Sequence, residues 1–167
     1  MMLADGYDAF LFDLDGVLYR GPAPVPHAAD AVARLRSMGK GVAFVTNNSS
    51  RTPDAVADTL VSVGVPARPE EVETSALTTG GLLATRGTRT AFVVGEHGVR
   101  AALTDAGIEV VDGDPAAVDA VVVGLDREAD YHKLRVASVL VARGAALVAT
   151  NGDASFPADA GPAWRCR

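Results

Sequence analysis

Short apolar runs alternate along this chain with stretches in which apolar residues recur every three or four positions. Ala9 to Phe12 is an unbroken apolar run, predicted to be a strand buried on both faces, as in a parallel sheet. Pro22, Pro24 and Pro26 then make a stiff connector. The spacing predicts a helix over 27–38, with Ala28, Val32 and Leu35 on one face and Gly39 at its end. A second buried strand follows over 41–45. Thr52 and Pro53 read as cap and first residue of a helix carrying Val56, Leu60 and Val63. Beyond Val65 the pattern predicts a short strand within 70–74, a helix over 75–84 weakened by Gly80 and Gly81, and a linker over 86–89. A second set of elements comes next: strands at 91–94, 108–111, 120–123 and 146–149, and helices near 99–106 and 130–142. Gly107 and Gly144 suit helix C-termini. Asp114 and Pro115 read as the cap and first residue of a further helix. The whole predicts an α/β fold.

The first strand runs into Asp13-Leu14-Asp15-Gly16. Open α/β sheets place ligands at the carboxyl ends of their strands, and Gly16 lets the chain turn sharply there. Two nearby carboxylates repel, so a proton or a cation is needed between them. Such a pair suits a nucleophile with an adjacent acid/base, and it suits Mg²⁺. Acid-x-acid alone says little, since Asp112-Gly113-Asp114 has the same form. A right-handed crossover makes the second strand parallel to the first, so Thr46, Asn47 and Asn48 face the acidic pair. Hydroxyl and amide side chains with backbone N–H groups ahead of a helix suit phosphate oxygens. Capping accounts for Ser49 to Arg51, but not for Thr46 to Asn48.

The 167 residues are 49% apolar and 22% charged, enough to bury a core. A net charge of −6 argues against nucleic-acid or membrane-surface partners. No run reaches membrane-spanning length and no leader pattern opens the chain, so a cytoplasmic location is expected. Cys166 is the sole cysteine, and His27, His97 and His132 are scattered, so no thiolate or histidine metal cluster is expected.

Three blocks resemble the haloacid dehalogenase-like (HAD) phosphatases of subfamily IIA. They are Asp13 to Tyr19, Val45 to Thr52, and Val122 to Asp126 with Tyr131, Gly144 and Ala149 to Asp153. The resemblance implies an incomplete Rossmann-like core with an inserted α/β cap: core over 1–86, cap over 87–150, and cap exit with a divergent tail over 151–167. It implies Mg²⁺-dependent hydrolysis of small phosphomonoesters through an aspartyl-phosphate. Asp13 would be nucleophile and metal ligand. Asp15 would be acid/base, its carbonyl also on the metal. Thr46, Asn47 and Asn48 would bind phosphate, and Asp126, Asn151 and Asp153 are cap or substrate candidates.

The family also uses a lysine against the phosphoryl oxygens and a Gly-Asp strand end, both expected in core beyond the cap. Past Pro157 the chain departs from the family pattern, as a truncated or frame-shifted reading frame would. The expected consequence is impaired turnover, and a first strand with an open edge. One alternative is a compact domain in which Lys133 and Gly152-Asp153, with Asp159 beyond, supply the missing parts. Another is a catalytically weak fragment that binds metal or phosphate, or only forms homo-oligomers through its cap or open edge.

Overall fold

In a computed structural model, which describes residues 3–153, the first apolar run forms strand β1, Ala9–Asp13. A tight turn over 14–18 leads to a small antiparallel hairpin, β2 Tyr19–Arg20 with β3 Ala23–Pro24, where the proline pattern predicts a bare connector. Pro24 fits because it closes a two-residue strand with no neighbour beyond it among the described residues. Helix α1, Ala28–Ser37, follows, then β4, Gly41–Thr46, and helix α2, Pro53–Ser62. Gly39 and Gly64, at φ 71° and 86°, take the left-handed conformation that ends both helices. A 3-10 turn, Pro69–Glu71, enters β5, Val72–Thr74. The remaining elements are α3 Ser75–Thr85, β6 Thr90–Val94, α4 His97–Asp105, β7 Glu109–Val110, β8 Ala120–Val123, α5 Tyr131–Ala142 and β9 Ala146–Ala149. The fold is α/β, as the pattern predicts.

The described residues group into two compact units. The first comprises residues 3–46, 53–73 and 153. Its sheet has the order β1-β4-β5, with β1 and β4 parallel and Asp13 opposite Val45. Phe12, Phe44 and Val42 on one face pack with Val32 of α1 and with Val56 and Leu60 of α2. The opposite face of β1 carries Ala9, Leu11 and Asp13, all exposed, and Leu11 keeps 71% of its surface. The expectation that β1 is buried on both faces is therefore corrected. β1 is the edge strand among the described residues, and both helices contribute to a single core. Among the described residues no strand pairs with the other edge of β1.

The second unit comprises residues 47–52 and 74–152. Its four strands run β7-β6-β8-β9, all parallel. Ala91, Val93 and Val122 pack with α3 and α4, while Phe92, Val94 and Val121 pack with α5. Helix α3, which the sequence groups with the first part of the chain, packs here against α4. No helix forms at Pro115. The Asp114 carboxylate instead pairs with Arg135 and lies 3.7 Å from His132, both on α5. Asp130, by contrast, does cap α5, accepting from the Lys133 N–H at 2.7 Å. No helix among the described residues is long and apolar enough to cross a membrane. Phe156, Pro157, Asp159, Cys166 and the tail over 154–167 lie outside the described residues.

Candidate active site

Leu14 and Leu18, both essentially buried, anchor the turn that carries Asp15. The Leu14 carbonyl accepts N–H groups from Val17, Leu18 and Tyr19 at 3.2, 2.9 and 3.3 Å. Gly16, at φ 85°, permits the reversal, and its N–H meets the Tyr19 carbonyl at 2.7 Å. The turn is thus fixed from within: two leucines go into the core while the residue between Leu14 and Gly16 stays half-buried. Asp13 ends β1 exposed, one of its carboxylate oxygens accepting the Leu14 N–H at 2.8 Å. Thr46, 8% exposed, ends β4. Because Asp13 pairs with Val45, Thr46 is the next position along, and Asp13, Asp15 and Thr46 lie at the same carboxyl edge of one sheet. Alternation assigns Thr46 to the face of Phe44, so what it shares with Asp13 is the sheet's end, not one of its faces.

Asn47 and Asn48 open the segment grouped with the second unit. The Asn48 side-chain oxygen accepts both the N–H and the hydroxyl of Ser50, at 2.9 and 2.8 Å, which folds the segment into a turn. The Asn47 carbonyl accepts from the Ser75 hydroxyl at 2.8 Å and from the Asn151 amide at 2.7 Å. Thr150 donates to the Ser49 hydroxyl at 2.9 Å, and the Gly98 N–H meets the Ser50 carbonyl at 3.0 Å. A side chain at Gly98 would lie 2.6 Å from backbone atoms of Ser49 and Arg51, and one at Gly124 would lie 2.6 Å from the Ser49 hydroxyl. Sequence alone makes Asn151 a candidate and has Gly124 and Thr150 within its motif blocks without a role, but it misses Ser75 and Gly98. The available signal was Gly124, directly after β8, and Gly98 in the first turn of α4.

The other cap candidates have structural partners. The Asp126 side chain is 3% exposed; it receives Lys133 Nζ at 3.0 Å and the Glu128 N–H at 2.9 Å. That hydrogen bond to Asp126 holds the Lys133 ammonium above the usual lysine value, outweighing partial burial. Lys133 is therefore committed within the second unit. Asp153 is exposed and falls with the first unit.

A family model described as haloacid dehalogenase-like hydrolase matches residues 10–109. An acid sugar phosphatase of Staphylococcus epidermidis is 38% identical over 156 residues, 93% of this chain and 60% of that protein. A double-mutant thermostable NPPase from Geobacillus stearothermophilus superposes with a TM-score of 0.84 at 39% identity, covering 95% of this chain and 62% of that one. A glycerol phosphate phosphatase of Mycobacterium tuberculosis, solved in complex with magnesium, gives 0.89 at 32% identity, covering 98% and 49%. This chain spans about 60% of the length of the curated relatives it matches. The family match, over more than half of the chain, leads to one assignment: the chain belongs to the haloacid dehalogenase-like hydrolases.

Proposed function

We propose that this chain carries the nucleophile and phosphate-binding edge of a phosphatase acting on small phosphomonoesters. The observation that supports this reading is the placement of Asp13, Asp15 and Thr46 at one carboxyl edge. The Asp13 carboxylate attacks phosphorus, forming an aspartyl-phosphate as the ester P–O bond breaks. Asp15 gives its proton to the departing oxygen. It then takes a proton from water, which attacks phosphorus and restores Asp13 with release of phosphate. Thr46 donates its hydroxyl to a phosphoryl oxygen, and the Asn47 N–H assists, with Asn48 shaping the turn. Little covalent chemistry is asked of the protein; positioning and charge neutralisation do most of it.

The donor set fits Mg²⁺. No cluster of three or more His, Cys, Asp or Glu side chains forms among the described residues. Mg²⁺ needs no such cage, since it binds through one or two carboxylates, waters and substrate phosphate. The Asp13 carboxylate and the Asp15 carbonyl would hold it, and when bound it offsets the repulsion between substrate and the two acids.

These residues alone should turn over slowly. The chain has two lysines. Lys40 precedes β4, at the amino end of the sheet, and Lys133 is held by Asp126. Each missing preorganised stabiliser lowers the rate by about 10²–10³. The second reading, a chain that binds phosphate without appreciable turnover, draws on the same observation. Its other form, a homo-oligomer, draws on the exposed edge at Leu11. A cytoplasmic location is part of the proposal. The test is 4-nitrophenyl phosphate hydrolysis with Mg²⁺, comparing the parent chain with Asp13→Asn. Slow turnover that falls at least about 100-fold in the variant supports the reading. Equal rates in the two would refute it.

A further inference from the structure

Three of the four residues after Thr46, namely Asn47, Ser49 and Ser50, are tied to other parts of the second unit, and Asn48 is bonded to Ser50 within the segment. The anchors come from three places far apart in sequence: the start of α3, the start of α4 and the exit of β9. The Asn47 carbonyl is the most heavily engaged group. Its oxygen has two lone pairs, and both have side-chain donors, Ser75 Oγ at 2.8 Å and Asn151 Nδ2 at 2.7 Å. Asn47 itself is exposed, so water could have satisfied this carbonyl at no structural expense. Two directed donors instead fix the plane of the peptide joining Asn47 to Asn48. That restricts rotation on the carbonyl side of Asn47, within the segment that follows Thr46.

We propose that Ser75 and Asn151 are positioning residues that clamp the Asn47 carbonyl and thereby hold the segment after Thr46 in its phosphate-binding conformation. The inference rests on the phosphatase reading and deepens it. Neither residue touches the reacting atoms in this account. They act through the Asn47 peptide, as the Asn48–Ser50 turn and the close approach of Gly98 act on the residues beyond. The clamp also gives Asn151 a role other than substrate contact.

The experiment uses the full 167-residue chain as parent, Ser75→Ala, Ser75→Thr, Asn151→Asp and the Ser75→Ala/Asn151→Asp double variant. Asn151→Asp keeps the shape and removes the donor; Ser75→Thr keeps the hydroxyl. Three readouts are taken: amide hydrogen exchange at 47–50, affinity for inorganic phosphate with Mg²⁺, and 4-nitrophenyl phosphate turnover. Loss of one donor should speed exchange at 47–50 and weaken phosphate binding by about fivefold to tenfold. The double variant should lose more, and Ser75→Thr should restore parent behaviour. A purely structural role at the start of α3 would lower the melting temperature without a localised change at 47–50. Unchanged exchange there, or faster exchange with unchanged phosphate affinity, overturns the clamp. If the parent neither binds phosphate nor hydrolyses the ester, the phosphatase reading fails first and takes this inference with it.

Discussion

Gly80 and Gly81 are neighbours in α3, yet alanine at the two positions should have opposite effects. Both substitutions gain the same intrinsic helix preference, about 1 kcal/mol. A Cβ at Gly81 meets nothing within 4 Å, so Gly81→Ala should stabilise by nearly that amount. A Cβ at Gly80 would lie 2.7 Å from the Ala102 carbonyl oxygen, 3.3 Å from its carbon and 3.4 Å from the Ala106 Cβ. The nearest of these is backbone of α4, which cannot rotate away. Relieving the contact means parting α3 from α4 by about 0.7–1 Å, since unstrained contact begins near 3.5 Å. Overpacking of this kind costs about 1–3 kcal/mol. Propensity cancels when the two variants are compared, so Gly81→Ala should exceed Gly80→Ala in stability by about 1–3 kcal/mol, a gap of several degrees in melting temperature. Urea unfolding followed by far-ultraviolet circular dichroism measures it. Equal midpoints, or a more stable Gly80→Ala, would refute the close approach of α3 to α4.

Glu71 accepts from Arg36 at 2.9 Å, from the Arg68 N–H at 2.9 Å and from the Arg68 side chain at 3.2 Å. Glu71→Ala should therefore lower stability by about 1.5–3 kcal/mol, nearer the lower figure because Arg36 remains partly exposed. Burial raises the Glu71 carboxyl, but these hydrogen bonds and charges win and hold it below its usual 4.5. A lowered folded value means a contribution complete above that pH and lost as pH falls through the folded value. Acid unfolding of Glu71→Gln should lack this component, and an acid limb identical to the parent's would contradict the assignment. Lys133 has the opposite sign: its value is raised above 10.5, so its contribution is complete below that pH and lost on further alkalinisation. Alkaline unfolding of Lys133→Met should be flatter than the parent's there; a parallel curve would remove the Asp126 pairing from the account.

The strands and helices of the second unit are largely legible because their chemistry is local. β9 matches its predicted bounds since a short apolar run sits between Gly144 and Thr150-Asn151. The error at β1 has a physical cause. An unbroken apolar run such as Ala9 to Phe12 does not reveal whether one face or both will be covered. No helix follows Asp114-Pro115, and the Asp114 carboxylate meets an arginine and a histidine on α5, partners too distant in sequence for the local pattern to show. The placement of Asp13, Asp15 and Thr46 at one end of the first sheet is readable from strand ends and one crossover, whereas the face Thr46 takes is not. The clamp on Asn47 was not, because its donors stand 28 and 104 residues away. Nor could Gly80 be told from Gly81, since only the packed partner helix separates them.

The central claim is that Asp13 forms the covalent phosphoryl intermediate. Trapping tests it most directly: the parent chain is quenched during reaction with a phosphomonoester and Mg²⁺, then treated with borohydride, which reduces an aspartyl-phosphate to homoserine. Peptide mass spectrometry should find the converted residue at position 13, and Asp13→Asn should yield none. Turnover by the parent with no conversion at position 13, or with conversion at another acid, would contradict the account.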